Sequence, residues 1–366
     1  MATRAAVVRE PNTLDVVEVE VAAPAPHEVS VEIAAVGVCH TDLSMLAGSL
    51  GLPLPAVLGH EGSGVVTAVG DDVASVRPGD RVVLCCLAPC GSCFHCVRDE
   101  YSLCEVAGRA MAEGTLLDGT TRVTARGVPV HQAAGLGAFA DRCVVPAAAV
   151  VPLPDAVSFE HGALMGCGVL TGFGAVLNAG EVRPGESVVV LGCGGVGLSA
   201  IQGARVSGAA VIIAVDPRPE RRRLATIVGA SHALEPGADL VPAVRDLTSG
   251  RGADAVIEAA GVQDTVEIAL RLTRAGGRLV LVGAGSTQVR LSVPAFLGLV
   301  HPEKSVRGSL YGSGHPRRTI ETMLACHARG DLVLDDFVTH RFGLAEIASA
   351  LDYARRAEGA RAVVVP

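Results

Sequence analysis

The chain has 366 residues, a length that accommodates two domains at roughly 100–200 residues each. Apolar residues make up 49% and charged residues 19%, enough core-forming material to exclude general disorder. The net charge is −8 with no basic run, which argues against a nucleic-acid partner, because a grip on phosphates needs clustered Lys and Arg. Lys304 is the only lysine and sits in no Schiff-base or P-loop context.

The first ten residues hold no long apolar run of the secretory-signal type. The expectation is a soluble, cytoplasmic protein with no membrane partner. Short alternating runs at 14–21, 29–38, 64–69 and 81–84, punctuated by Pro24, Pro26, Pro53, Pro55, Pro78 and Pro89, predict an antiparallel β-rich first domain. Residues 161–180 and 187–204 lack Asp, Glu, Lys and Arg over about a membrane span's length. Glycines break both stretches, so they read as buried loop and turn. From 187 onward, predicted strands at 187–191, 211–215, 255–257 and 278–282 alternate with predicted helices at 196–207, 219–228, 239–248 and 264–271. That βαβ alternation implies a doubly wound parallel sheet. Helices are predicted at 317–328 and 345–358, then a short apolar strand at 362–365. A tail returning to the first domain would make that domain discontinuous. The expected division is 1–168 completed by 309–366, with 169–308 as the second domain.

Eleven cysteines in a chain without an export signal argue against a disulfide framework. Cys90, Cys93, Cys96 and Cys104 fall in one window, spaced C-x2-C-x2-C-x7-C. Four thiolates on a short loop can close a tetrahedral shell around zinc, as in a structural site. An iron–sulfur cluster is the competing reading, since C-x2-C-x2-C also occurs there. Taken singly, the others would be small buried hydrophobes. Cys39 and Cys167 stand apart. The first opens Cys39-His40-Thr41-Asp42, the second lies in Gly166-Cys167-Gly168, and Gly59-His60-Glu61-Gly62 falls between them.

Gly192, Gly194 and Gly197 form a G-x-G-x-x-G run with Cys193, Gly195 and Val196. The run follows a predicted strand and opens a predicted helix, the context in which glycines admit a pyrophosphate to a helix N-terminus. Asp216 lies 19 residues beyond Gly197, at the end of the next strand. There it can accept hydrogen bonds from the adenosine ribose and repel a 2′-phosphate, which favours NAD over NADP. Arg218, Arg221, Arg222 and Arg223 weigh against that preference, unless they form a solvated helix face.

Taken together, Cys39-His40-Thr41-Asp42, Gly59-His60-Glu61-Gly62-Ser63-Gly64 with Gly70, the four-cysteine lobe and Gly166-Cys167-Gly168 before the dinucleotide motif resemble the zinc-dependent medium-chain alcohol dehydrogenases. The match in order and spacing runs from about Arg4 to Val365. It implies an α/β protein made of a GroES-like β-rich catalytic domain plus a Rossmann domain, with the active site in the cleft between them. By that resemblance, Cys39, His60 and Cys167 bind a catalytic zinc with Glu61 behind it as a transient ligand, and the cysteine lobe binds a second, structural zinc. Asp42 would orient the zinc histidine, or cap a helix. Thr41 would relay the alcohol proton, although Thr is also suited to an N-cap. Ser44 stands where much-studied members carry a relay histidine. His40, Thr171, Arg221, Val282 with Gly283 and Ala284, and Arg361 resemble cofactor-contacting positions.

The implied reaction is reversible hydride transfer between NAD and a primary alcohol or aldehyde, medium-chain or aromatic. Leu50 and Phe139 are expected pocket walls, and Cys86 fills a position that is often aromatic. The alternatives are a thiol-dependent formaldehyde dehydrogenase, a specialised biosynthetic aldehyde reductase, and a non-catalytic NAD-binding protein. Residues 49–53 lack the acids typical of the glutathione-dependent enzymes. The stretch 107–135 resembles an insertion of dimeric members, so a homodimer is expected.

Overall fold

A computed structural model describes residues 3–356 and 359–366. The chain divides into two compact units: Met1–Cys167 with His315–Thr322 and Leu334–Pro366, and Gly168–Gly314 with Met323–Val333.

The first unit is β-rich. Strands Thr3–Glu10, Thr13–Val21, Val123–Ala125, Val128–Gln132 and Ala56–Val57 close a barrel. Their inward side chains, among them Ala5, Val7, Val19, Val57, Val123 and Val130, form its core, as the two-residue alternation of strands requires. Two of these strands come from the stretch 107–135. A second sheet orders Val150–Pro152, Arg81–Leu84, Gly62–Val69, Glu28–Val38, Arg361–Val365 and Val338–Gly343, and Arg142–Pro146 also pairs with Glu28–Val38. The tail strand does return to this unit, antiparallel to Glu28–Val38 with Ala362 opposite Val38.

The second unit is built on six parallel strands in the order His232–Leu234, Val211–Val215, Ser187–Leu191, Ala253–Glu258, Thr273–Leu281 and Ser305–Gly308. The central ones are Val/Ile-rich and buried along nearly their whole length, as expected of parallel strands covered on both faces. Connecting helices Gly195–Val206, Pro219–Ile227, Leu240–Leu247 and Gln263–Leu272 lie within two residues of the predicted bounds. The strand order reverses between Ser187–Leu191 and Ala253–Glu258, the switch point at which such sheets receive ligands beyond their carboxyl ends.

Three details of the expected division differ. Gly168 belongs to the second unit, and so do residues 309–314 and 323–333. Side-chain amides hold them there: Asn178 donates to the Gly312 carbonyl at 2.8 Å, and Gln202 bonds both the carbonyl and the amide of Val333, at 2.9 and 2.7 Å. The last helix spans Ile347–Arg356; residues 345–346 of its predicted span lie in the 3-10 turn Leu344–Glu346, and 357–358 lie outside the described residues. Among the described residues no single helix is long and apolar enough to cross a membrane.

Candidate functional site

Strand register assembles the first cluster. Val36 pairs with Gly62, so Cys39, just past the end of Glu28–Val38, meets His60 and Glu61, just before the start of Gly62–Val69. The Gly37 amide donates to the Glu61 carbonyl at 2.8 Å and ties the two ends together. Ser63 pairs with Val83, which brings Cys85 and Cys86 to the same end. The tail register delivers Arg361. Gly59 has φ +93°, and a Cβ there would lie 2.4 Å from the Phe139 amide nitrogen. Only glycine allows this turn into His60. Cys167 follows the helix Phe159–Met165, with Ser158 capping its start by accepting from the His161 amide at 3.1 Å.

The donor atoms of Cys39, His60, Glu61 and Cys167 lie within 4.8 Å of one another, a group that could hold a metal ion. Asp42 is fully buried. Its Oδ2 accepts the Cys39 amide at 2.9 Å, and its Oδ1 lies 2.9 Å from His60 Nδ1. In the neutral ring, that contact puts the proton on Nδ1 and leaves Nε2 with a lone pair. His60 Nε2 is buried and has no hydrogen-bond partner; against the lowering effect of burial, Asp42 first and the nearby Cys39 sulfur second hold the imidazole pKa well above its ordinary value. A buried acceptor of this kind is costly unless something fills it, and a metal ion would do so.

The Cys39 thiol lies well below its ordinary pKa, first because of the neighbouring Cys167 thiol and then because the His60 imidazole stands beside it, against the opposing effect of burial. The same contact, with Cys86 adding a second, pushes Cys167 up. Burial pushes the Glu61 carboxyl up against the pull of Arg361. Arg361 is itself buried, and its Nη2 pairs with Glu61 Oε2, while Glu61 Oε1 has no partner. Two thiols and an imidazole, with a carboxylate held to one side, make a donor set suited to an open zinc site.

Helix His40–Leu46 is capped by Cys39 rather than by Thr41. Asp42 bonds both the cap amide and the histidine. His40 is exposed, Thr41 is half-buried, and the Ser44 hydroxyl donates to the His40 carbonyl at 3.3 Å. Leu50 is 56% exposed and Phe139 is fully buried. Phe139 packs beneath Gly59 as core and not as a pocket wall.

The second cluster is local. Cys90, Cys93, Cys96 and Cys104 also place their sulfurs within 4.8 Å of one another. Backbone amides point at the sulfurs. Cys90 N–H donates to Cys104 Sγ at 3.3 Å and Ala107 N–H at 3.4 Å, the latter because Cys104 caps helix Glu105–Glu113. The amides of Cys96 and Glu105 bring Cys93 down to about 6 despite burial. Amides aimed at sulfur favour thiolates, the form that binds metal.

In the second unit, Gly192, Gly194, Gly195, Val196 and Gly197 lead from strand Ser187–Leu191 into helix Gly195–Val206. A Cβ on Gly197 would sit 1.8 Å from the Gly192 carbonyl oxygen, so the close helix–strand approach excludes any larger residue. Asp216 is buried at the end of the next strand. It accepts the amides of Cys193 at 2.8 Å and Arg218 at 2.9 Å, and Arg221 Nη1 lies 3.8 Å from it. Thr171 and Val282 are half-buried, and the Val282 amide bonds the Glu258 carbonyl at 2.8 Å.

Glu258 escaped the sequence reading. Buried at the switch point, its Oε1 accepts the amides of Ala260 and Gly261 at 2.9 and 2.8 Å and the Thr265 hydroxyl at 2.7 Å. It fixes the loop after its strand. An acid ending an apolar run before Ala-Ala-Gly was the available signal.

The fold and the two cysteine-containing clusters describe a two-unit protein with two groups that could hold a metal ion and a dinucleotide-type second unit. Residues 25–155 match the alcohol dehydrogenase GroES-like domain family and 195–329 the zinc-binding dehydrogenase family. The putative alcohol dehydrogenase D of Mycobacterium tuberculosis is 36% identical over 369 residues, covering all of both chains. S-(hydroxymethyl)glutathione dehydrogenase of Escherichia coli is 36% identical over 371 residues, again covering all of both. The crystal structure of benzyl alcohol dehydrogenase from Acinetobacter calcoaceticus superposes with a TM-score of 0.93 at 30% identity, covering 100% of this chain and 99% of that one. The chain therefore belongs to the zinc-dependent medium-chain alcohol dehydrogenase family and has its GroES-like plus Rossmann fold.

Proposed function

We propose that the protein is an NAD-dependent zinc alcohol dehydrogenase that moves hydride reversibly between a primary alcohol, medium-chain or aromatic, and its aldehyde. The observation that carries this reading is the buried, unpartnered His60 Nε2 beside the thiols of Cys39 and Cys167. Cys39, His60 and Cys167 would hold the catalytic zinc with Glu61 at its side, and Cys90, Cys93, Cys96 and Cys104 the structural one. Zinc in the first site supplies a Lewis acid that polarises the alcohol or aldehyde oxygen, and NAD supplies the hydride acceptor.

The chain's own residues do the rest. Asp42 fixes the His60 tautomer and ring plane through its 2.9 Å contact. Thr41 accepts the alcohol proton and passes it on, by way of water, because Ser44 is engaged with its own helix. Arg361 balances Glu61 and keeps an anionic carboxylate tolerable beside the thiolates. For the cofactor, the glycine turn at Gly192, Gly194, Gly195, Val196 and Gly197 takes the pyrophosphate, Asp216 the adenosine ribose, and His40, Thr171, Arg221, Val282 and Arg361 further cofactor contacts. The Asp216 carboxylate disfavours a 2′-phosphate, which is the basis for NAD, and the Arg221 contact softens that preference.

The aromatic alternative among substrates draws support from the benzyl alcohol dehydrogenase likeness. A thiol-dependent formaldehyde dehydrogenase is the second reading, favoured by the Escherichia coli relative and opposed by the absence of acids at 49–53. A homodimer is supported by the strand Ser305–Gly308 at the end of the parallel sheet and by exposed Phe296, Leu297 and Val300 nearby, since unpaired edges and apolar patches mark interfaces.

The test is NADH formation by zinc-replete protein with aliphatic and aromatic primary alcohols and no added thiol. Turnover is expected. Activity only with a low-molecular-weight thiol and formaldehyde would replace this reading with the second one.

A further inference from the structure

The buried acid Glu258 holds two loops of the second unit at once. It ends strand Ala253–Glu258, at the switch point of the parallel sheet. Its Oε1 accepts the amides of Ala260 and Gly261 and the Thr265 hydroxyl, groups that lie past the strand end. Its carbonyl accepts the amides of Val282 and Gly283 at 2.8 and 3.0 Å, in the loop that follows strand Thr273–Leu281. The two loops then interlock, backbone against backbone. A Cβ on Gly285 would lie 1.8 Å from the Gly261 carbonyl oxygen, and one on Gly283 2.2 Å from the Gly261 nitrogen. The Gly283 Cβ would also lie 2.8 Å from Glu258 Oε2, so the acid and both loops are packed as one piece. Taking an acid out of water is costly unless hydrogen bonds offset it. Here the bonds that offset the cost shape loops beyond the sheet.

Sheet order indicates what those loops face. Asp216 follows strand Val211–Val215 on one side of Ser187–Leu191, and Ala253–Glu258 lies on the other side. A dinucleotide lies across such a switch point, beyond the carboxyl ends of the strands, with its pyrophosphate on the glycine turn. With the adenosine ribose at Asp216, the other half extends toward the ends of Ala253–Glu258 and Thr273–Leu281. We infer that Glu258 is a positioning residue for the nicotinamide half of the cofactor. By bonding both loops it sets the floor on which that half rests, and it acts through the loops. The inference rests on the NAD-dependent reading above and deepens it. Its physical basis is a division of labour: the glycine turn and Asp216 serve the pyrophosphate and adenosine, so the loss of the Glu258 bonds is felt by the nicotinamide half alone.

The test separates the two halves by titrating zinc-replete protein calorimetrically with NADH and with ADP-ribose, which lacks the nicotinamide. Wild type is expected to bind NADH the more tightly. Glu258→Asp draws the carboxyl back by one methylene, away from the Ala260 and Gly261 amides. It should weaken NADH by about tenfold or more, as unpairing buried donors does, and change ADP-ribose by less than about twofold. Glu258→Gln keeps an acceptor oxygen at the original reach and should return NADH binding to near the wild-type level. Equal weakening of both ligands by Glu258→Asp, or a fall in Tm with their Kd ratio unchanged, overturns the inference, because Glu258 then serves the fold alone. Should Glu258→Asp fail to fold, amide hydrogen exchange on wild type decides the matter. NADH should slow exchange in peptides covering 259–265 and 282–285 more than ADP-ribose does, and equal slowing overturns the inference. If ADP-ribose binds and only this separation is missing, the cofactor reading survives. If neither ligand binds, that reading fails and this one with it.

Discussion

The two sulfur-containing clusters of the first unit are built by opposite routes. Cys90, Cys93, Cys96 and Cys104 sit within one short loop, and backbone amides from that same loop and the following helix point at their sulfurs. Cys39, His60 and Cys167 come from three distant parts of the chain and depend on strand register, on Gly59 and on a partner carboxylate. The local cluster is four like donors with no other function in reach. The assembled one mixes thiols, an imidazole and a carboxylate. A closed shell of four thiolates can only stabilise, whereas three ligands leave a position where chemistry can occur.

The sharpest way to break that contrast is Cys39→Ser. Turnover should fall by about a thousandfold or more, as expected when the activating group of a reaction is removed, with NAD binding and the circular-dichroism spectrum retained. Full activity would mean the assembled cluster is not the seat of chemistry. Cys104→Ala should act in the other direction. Losing a ligand and the cap of Glu105–Glu113, it should remove one zinc equivalent and lower Tm by several degrees or more, while the fraction that remains folded keeps its kcat.

Asp42→Asn probes the support of the assembled cluster. Asparagine offers one acceptor oxygen where the structure uses two, for the Cys39 amide and His60 Nδ1, so one donor must face an amide NH2. Metal affinity or kcat should drop about 10–100-fold, to be read from zinc retention during dialysis against a chelator. The mildest change touches neither cluster. Asp216→Ala should weaken NAD use more than NADP use, by about tenfold in the ratio of kcat/KM values, and equal loss with both would refute the ribose assignment.

How much of this was legible in the sequence follows the same division. The cysteine lobe and the glycine turn were readable because their parts are adjacent and their spacing is their geometry. The parallel strands were readable because burial on both faces writes long apolar runs such as Val188-Val189-Val190. Thr3–Glu10 and Val128–Gln132 carried weaker signals, since barrel strands are short and a proline or charge blurs their alternation. The Arg361–Glu61 pair depends on a tail strand docking 300 residues away in sequence, and no local pattern announces it. Phe139 looked like a pocket wall because an aromatic near the motifs invites that reading, yet the close approach of Gly59 makes it core.

The central claim is that the assembled cluster holds the zinc on which alcohol oxidation depends. Its most direct test is zinc content by mass spectrometry measured alongside NADH formation in the same samples of wild type and Cys39→Ser. The account predicts two zinc ions per chain with turnover in wild type, and one zinc with turnover lost in the variant. A Cys39→Ser protein that keeps both zinc ions and its full turnover would contradict it.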